Sequence, residues 1–207
     1  FFPDVSLVLA ALALGVLVTA RQFLSQRATF RLQAQLRDAH DQLAKLASLD
    51  SLTEIANRRA IGIILDHELR RAQRYSRRLA VLFFDIDRFK QINDRAGHAT
   101  GDQALREFAA VVGRELRPAD VLGRWGGEEF LAVLPEAGRE EARRTAERIR
   151  AAVEHHPFAY EEGARLTCSI GVSGYPADAS EPAALVEEAD RAMYLAKQAG
   201  RNRVGAA

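Results

Sequence analysis

The chain has 207 residues, of which 48% are hydrophobic and 28% charged, so it can bury a full core and is not a disordered tail. Its 29 Lys and Arg nearly balance 28 Asp and Glu, which excludes binding to nucleic acid through a strong basic excess. The single cysteine, Cys168, excludes an intramolecular disulfide and a multi-cysteine zinc cluster.

The first segment, residues 1–20, is apolar enough to predict a transmembrane helix. No charged residue lies between Val5 and Ala20, and a helix over that stretch rises about 24 Å, towards a hydrocarbon core of roughly 30 Å. Arginines at positions 21, 27 and 31 place the C-terminal side in the cytoplasm and the chain at the inner (cytoplasmic) membrane. A cleaved signal peptide and a buried soluble helix or dimer contact are the alternatives. Because the chain does not begin with Met, we expect it to be the end of a longer protein.

The second segment, residues 21–48, contains no Gly or Pro and is predicted to be a helical linker. Its apolar residues fall on two heptad positions, Leu36 and Leu43 on one and Leu32, Ala39 and Leu46 on the other. This spacing favours a parallel coiled coil that makes the protein a homodimer. A solvated amphipathic connector is the alternative.

The remaining residues, 49–207, alternate between helical and strand-like patterns. Helices are predicted over Arg58–Arg77, Asp102–Leu116, Arg139–Val153 and Pro182–Ala199, and strands over Leu79–Phe84, Val121–Trp125, Glu128–Leu134 and Leu166–Ser173. Gly126-Gly127 is a strong hairpin signal between the second and third strands. The pattern predicts an α/β (α+β) fold in which helices flank a mixed central sheet.

Carboxylates stand at two turns of this pattern. Asp85 directly follows the apolar strand, where burial is costly unless a hard divalent cation or a similar partner compensates its charge. Glu128 and Glu129 follow the glycine turn and repel each other without such a partner. If the hairpin lies beside the strand, Asp85 and Glu128 meet at one metal ion, as Mg²⁺-dependent phosphoryl or nucleotidyl transfer requires. A solvated strand end and an exposed hairpin tip are the alternatives.

Four motifs in order resemble the GGDEF diguanylate cyclase family. They are Asp50-Ser51-Leu52-Thr53 with Asn57-Arg58-Arg59, the run from Asp85 to His98 with Gly101-Asp102, Gly-Gly-Glu-Glu-Phe at 126–130, and Ala189-Asp190 through Gly200-Arg201-Asn202-Arg203. The third is the Glu variant of the motif that names the family. The resemblance covers about residues 48–205 and implies a palm-like nucleotidyl cyclase that makes cyclic di-GMP from two GTP.

The resemblance also implies a role for individual residues. Mg²⁺ or Mn²⁺ would be held by Asp85, the carbonyl group of Ile86, Glu128 and Glu129, and Glu128 would take the proton of the attacking 3′-hydroxyl. Guanine would be read by Asn93 and Asp102, and the phosphates would be bound by Phe89, Lys90, Lys197 and Arg201. Gly126 and Gly127 form the turn, where the lack of a Cβ lets a flat ligand approach the backbone.

Two further features concern assembly and regulation. Each domain would bind one GTP, so two domains must face each other to join two nucleotides. Arg117 and Asp120 form an RxxD sequence nine residues before Gly126, where the family has its product-inhibition site, and Arg148 resembles a secondary contributor. A non-catalytic receptor for cyclic di-GMP and a cyclase for another nucleotide are the alternatives. Glu54, at a position usually occupied by glycine, and Arg88, at a position often aromatic, depart from the family pattern.

Overall fold

The structure is a computed structural model and describes Gln22, Gln26, residues 48–158 and residues 165–206. The helices of this part are α1 (Arg58–Arg74), α2 (Phe89–Ala96), α3 (His98–Glu115), α4 (Arg139–His155) and α5 (Pro182–Gln198). The strands are β1 (Ala56–Asn57), β2 (Leu79–Ile86), β3 (Val121–Gly126), β4 (Glu129–Pro135), β5 (Cys168–Tyr175) and β6 (Val204–Ala206).

The strands form one mixed sheet in the order β1-β3-β4-β2-β5-β6. β2 is central and runs antiparallel to both β4 and β5, while the outer pairs β1–β3 and β5–β6 are parallel. A mixed sheet flanked by helices confirms the predicted fold class.

The core consists of two apolar layers, one on each face of the sheet. All eight residues of β2 are buried, and its side chains alternate between the two layers. One layer packs against α3 and α4, with Phe84, Phe108 and Phe130 at its centre. The other packs against α1 and α5 and includes Val81 and Phe83. Asp85 continues the row of Val81 and Phe83, so its side chain lies on the α1/α5 side.

Several element boundaries differ from the sequence predictions. β2 and β5 each extend two residues further, to Ile86 and Tyr175, and α3 begins at His98, four residues earlier than predicted. The tight turn of the hairpin is at Gly127 and Glu128 rather than at Gly126 and Gly127, because β3 continues through Gly126 after a bulge. Helix α2 and the short strands β1 and β6 were not predicted.

The departure at Glu54 coincides with an unusual backbone conformation. Glu54 has a φ of 59°, in the left-handed region that favours glycine, which explains why a glycine suits this turn. The turn nevertheless closes, because the Glu54 N–H donates to the carbonyl oxygen of Asp50 at 2.9 Å. The change from glycine therefore costs local strain without opening the turn. Arg88, the second departure, also has a left-handed φ of 58° and precedes α2.

The predicted membrane span at 1–20 and almost all of the predicted linker at 21–48 lie outside the described residues. Among the residues that are described, the helices are all too short or too polar to cross a bilayer. The domain built from Ser48 onward is a compact unit of its own.

Candidate active site

The end of β2 carries a buried carboxylate with a basic partner. Asp85 is only 6% exposed, and its Oδ2 lies 2.6 Å from Nζ of Lys197 at the end of α5. Burial raises the pKa of Asp85 to about 6, although Lys197 opposes the rise; the neighbouring charges of Glu128 and Glu129 add to it. The carboxylate thus lies in an environment that favours an additional positive charge.

The hairpin between β3 and β4 brings two more carboxylates to the same strand end. Glu129 is the cross-strand partner of Asp85, and the Ile86 N–H donates to the carbonyl oxygen of Glu128 at 3.3 Å. Burial raises the pKa of Glu129, and the nearby negative charge of Asp190 adds to the rise, which Lys197 partly opposes. Pairing of β2 with β4 is therefore what places the two acidic motifs together.

The tip of the hairpin is held by an arginine whose role the sequence did not indicate. Arg124 donates from Nε and Nη2 to the carbonyl oxygen of Gly127 at 3.0 and 2.8 Å, and from Nη1 to Asp50 at 3.1 Å. Burial alone would raise the pKa of Asp50, but hydrogen bonds from Thr53 and Arg124 outweigh it and lower the pKa. A charged Asp50 thereby fixes Arg124, which fixes the turn in front of Glu128. A Cβ built on Gly126 or Gly127 would have no neighbour within 4 Å, so the tip is open to a ligand.

A cavity of about 430 Å³ lies where these elements meet. Seven of the sequence-predicted residues line it, namely Asp85, Ile86, Phe89, Lys90, Glu128, Lys197 and Arg201, and they are joined by Arg88, Gln91 and Asp94. Acidic groups and basic groups therefore face one space. Acidic groups can bind a cation and basic groups can bind phosphates, so the lining fits a nucleoside triphosphate bound together with a metal ion.

The donor set fits Mg²⁺ bound together with a substrate. Two carboxylates and a backbone carbonyl are hard oxygen ligands, which Mg²⁺ and Mn²⁺ prefer. Within 48–158 and 165–206, no three His, Cys, Asp or Glu side chains converge closely enough to enclose a metal by themselves. Mg²⁺ commonly binds to one or two carboxylates and takes its remaining ligands from water and substrate phosphates, so an incomplete protein shell agrees with that ion.

The two predicted guanine-reading residues lie on successive helices, Asn93 on α2 and Asp102 on α3. A Cβ built on Gly101 would fall 2.0 Å from Oδ1 of Asn93 and 3.1 Å from Phe89. The side chain of Asn93 therefore rests directly on Gly101, and Asp102 is the next residue along α3. Neither Asn93 nor Asp102 lines the cavity itself. Gly101, to which the sequence assigned no role, makes room for Asn93.

The predicted inhibitory residues form a separate cluster on the surface. The Arg117 N–H donates to the carboxylate of Asp120 at 3.0 Å, and the Asp120 N–H donates to the carbonyl oxygen of Arg117 at 2.9 Å. Burial raises the pKa of Asp120, while the backbone N–H and charge of Arg117 and the charge of Arg148 oppose the rise, so both arginines act on Asp120. Two acidic residues missed by the sequence analysis complete the cluster: Glu141 pairs with Arg117 at 2.5 Å, and Glu115 pairs with Arg148 at 2.9 Å.

A family model and curated relatives match most of the chain. The family model for "Diguanylate cyclase, GGDEF domain" matches residues 47–203. Diguanylate cyclase TpbB of Pseudomonas aeruginosa is 43% identical over 172 residues, which are 82% of this chain and 39% of that protein. Response regulator PleD of Caulobacter vibrioides is 41% identical over 172 residues, again 82% of this chain and 38% of that protein. The chain thus spans about two fifths of the length of these curated relatives.

Solved structures match over most of the chain. A structure of PA1120 (TpbB or YfiN) from Pseudomonas aeruginosa that comprises only the GGDEF domain has a TM-score of 0.73 and 40% identity, and covers 77% of this chain and 94% of that one. The coiled coil and GGDEF domain of DgcB from Caulobacter crescentus, in complex with c-di-GMP, has a TM-score of 0.72 and 33% identity, and covers 92% of this chain and 99% of that one.

Proposed function

The chain belongs to the GGDEF diguanylate cyclase family, and from this premise we propose that it condenses two GTP into cyclic di-GMP with release of two pyrophosphates. The observation that carries the proposal is the cavity that Asp85 and Glu128 share with Lys197 and Arg201. Carboxylates for a cation and basic groups for phosphates in one space are the requirements of nucleotidyl transfer.

The carboxylates of this site would hold the cation. Asp85, the carbonyl group of Ile86 and Glu128 would bind Mg²⁺ or Mn²⁺, with Glu129 beside a second ion. When bound, the ion supplies the positive charge that neutralises the triphosphate. Glu128, at the open tip of the hairpin, would accept the proton of the 3′-hydroxyl.

The basic and polar residues would orient the nucleotide. Backbone N–H groups at Phe89 and Lys90, at the start of α2, would bind phosphate oxygens, since free N–H groups at a helix N-terminus attract anions. Lys197, in the last turn of α5, and Arg201, in the turn that follows, would add positive charge to the same cavity. Asn93 and Asp102 would read guanine, because an acidic acceptor matches its N1–H and amino group.

The reaction needs two such sites facing each other. Each 3′-oxygen must lie in line with the α-phosphate bound by the other domain, so a homodimer is part of the proposal.

Incubating the chain with Mg²⁺ and GTP and identifying the product by mass tests the activity. A mass of cyclic di-GMP supports it. Binding of cyclic di-GMP without turnover would indicate a receptor, and turnover only with another nucleotide would indicate a different cyclase.

Replacing Gly101 with alanine is expected to weaken GTP binding specifically. The new methyl group would fall on Oδ1 of Asn93 and displace the Asn93 side chain. We expect the KM for GTP to rise about tenfold, the cost of a misplaced hydrogen-bonding group, with a smaller change in kcat. Gly113→Ala on the same helix is the matched control, because a Cβ there meets nothing within 4 Å. Equal KM values for the two variants would contradict a role for Asn93 in guanine binding.

We further propose that Arg117, Asp120 and Arg148 bind the product and inhibit the enzyme. Arginine can bind the Hoogsteen edge of guanine or a phosphate, and an aspartate can accept from guanine N–H groups. Glu141 lies on Arg117 and would compete with such a ligand.

Two substitutions in this cluster are expected to act in opposite directions. Arg117→Ala should abolish inhibition by added cyclic di-GMP, whereas Glu141→Gln should strengthen it about threefold, because the competing charge on an exposed arginine is removed. Initial rates of pyrophosphate release at increasing cyclic di-GMP measure both effects. An Arg117→Ala protein that is still inhibited at the wild-type concentration would refute the site.

We propose that residues 1–20 form a membrane helix, which would place the catalytic domain at the cytoplasmic face of the inner membrane. We also propose that residues 21–48 form a helical linker that pairs two chains. The solved coiled coil and GGDEF domain of DgcB supports the linker, because its match covers more of this chain than residues 48–207 alone could supply.

Deleting residues 1–47 is expected to lower specific activity sharply at low protein concentration. A dimeric linker raises the effective concentration of one domain near the other, and its loss makes encounter depend on total protein. Specific activity measured from nanomolar to micromolar protein tests this. If the shortened and full chains keep equal activity on dilution, the linker does not pair the domains.

A further inference from the structure

Asp87, two residues beyond Asp85, binds a loop that is distant in sequence. It is 8% exposed, and its carboxylate accepts hydrogen bonds from Thr167 Oγ1 at 2.8 Å, Ser169 Oγ at 2.7 Å and the Asn202 N–H at 3.0 Å. Hydrogen bonds to a buried charge are strong, and removal of the acceptor leaves its donors without a partner. Asp87 therefore ties the end of β2 to the segment that follows α5.

That segment has a backbone conformation that needs support. Gly200, Arg201 and Asn202 all have positive φ values, of 116°, 63° and 45°. Two of the three carry side chains, for which the left-handed region is unfavourable, so neighbouring contacts must hold them there. Arg201 is the member of this turn that lines the cavity.

The side chain of Asn202 is held on its other side by α4. Its Nδ2 donates to Glu154 at 2.8 Å, and its Oδ1 accepts from Arg150 at 2.9 Å. Arg150 also pairs with Glu154 at 2.8 Å and with Glu147 at 2.9 Å. Asn202 thus has its backbone fixed by Asp87 and its amide fixed by two charged residues of α4.

From these contacts we infer that Asp87, Asn202 and Arg150 are positioning residues that hold Arg201 in the conformation required to bind a nucleotide phosphate. The inference rests on the proposed function, because it takes Arg201 to be a phosphate ligand. None of the three positioning residues lines the cavity, and Arg150 belongs to α4. They would set the affinity for the triphosphate through Arg201.

The experiment uses the 207-residue chain and 3′-deoxy-GTP with Mg²⁺, a nucleotide that lacks the hydroxyl group needed for cyclisation. Calorimetric titration of Asp87→Asn is expected to show about tenfold weaker binding, the effect of losing charge-assisted hydrogen bonds. Arg150→Gln is expected to weaken binding about threefold, because Asn202 keeps its bond to Asp87. Arg143→Gln, an equal charge change on α4 next to Glu140, is the control and should bind like the wild type.

A double-mutant cycle separates positioning from general damage. If Asp87 acts through Arg201, Asp87→Asn should weaken binding less than about twofold in an Arg201→Ala background. A full tenfold loss in that background, or wild-type binding by both Asp87→Asn and Arg150→Gln, would overturn the inference. Hydrogen exchange at the Asn202 amide should accelerate at least about tenfold in Asp87→Asn. If the exchange accelerates but the wild-type chain binds no nucleotide, the proposed function fails while the structural tie stands.

Discussion

Replacing Asp85 with asparagine is expected to reduce catalysis severely and to stabilise the domain at neutral pH. Catalysis should fall about a thousandfold, since a ligand of the cation is lost at the point where phosphate charge must be neutralised. The stability gain arises because the pKa of Asp85 rises from 3.8 to about 6 on folding, chiefly through burial. A neutral isostere avoids that cost of burying the charge.

The raised pKa of Asp85 determines how the stability gain of Asp85→Asn depends on pH. Because Asp85 binds its proton more tightly in the folded chain, the charged form destabilises the fold increasingly as the pH rises from about 4 to about 6. The gain from Asp85→Asn should therefore be absent near pH 3.5 and reach about 2 kcal/mol above pH 6.5, allowing for the lost pairing with Lys197. Metal binding should follow the same titration and strengthen as the pH rises through 6.

Urea unfolding at pH 3.5 and at pH 7.5, with a chelator present, measures the gain in the free energy of unfolding. Asp66→Asn is the matched control, because Asp66 is a half-exposed aspartate of α1 paired with Arg70, and its replacement should change stability by less than about 0.5 kcal/mol at either pH. If Asp85→Asn gains no stability at pH 7.5, or gains equally at both pH values, burial does not raise the pKa of Asp85. Such a result would remove the electrostatic argument for a cation at this carboxylate.

The strand that carries Asp85 was predictable because its sequence has one interpretation. The six apolar residues from Leu79 to Phe84 exceed the alternation that a half-exposed strand would show, and Asp85 directly follows them. In the structure the buried strand continues through Asp85 to Ile86. The glycine turn likewise marked the hairpin. The convergence of Asp85 and Glu128 was inferred only on the condition that β4 lies beside β2, since periodicity does not specify which strands are neighbours.

Elements with weak local signals were missed. Helix α2 has only eight residues, so its apolar spacing spans too few turns to be recognised as a helix from the sequence. β1 and β6 have two and three residues and exist because longer strands pair with them. The hairpin turn was displaced by one residue because a bulge, which depends on the pairing of β3 with β4, moved Gly126 into the strand.

The supporting residues of the site could not be predicted for a different reason. Arg124 binds Asp50 across 74 positions, and Asp87 binds Asn202 across 115. No spacing rule links residues so far apart in one sequence. Functional side chains were indicated by unusual chemistry in a local motif, whereas the residues that orient them are ordinary polar groups until the fold brings them together.

Helix α5, which carries Lys197 and leads to Arg201, packs so closely on β5 that the backbones of the two elements approach each other at Gly171. A Cβ built on Gly171 would lie 1.8 Å from the carbonyl oxygen of Ala189 and 2.4 Å from the amide nitrogen of Met193, both in α5. These are backbone atoms, which cannot rotate away as a side chain can. The absence of a side chain at Gly171 therefore determines how closely the helix approaches the sheet.

Gly171→Ala is accordingly expected to destabilise the domain by about 3 kcal/mol or more, because the whole helix must move to admit one methyl group. For a domain of this size, that corresponds to a fall in Tm of about 10 °C. Gly174→Ala, in the same strand, is the matched control: the nearest atom to its Cβ is 3.6 Å away, an ordinary contact, and we expect a change below about 1 kcal/mol. Thermal unfolding followed by circular dichroism compares the two, and equal Tm values would show that α5 does not pack at this distance. Because α5 positions Lys197 beside Asp85, GTP affinity should fall in Gly171→Ala even at temperatures where the domain remains folded, and should be unchanged in Gly174→Ala.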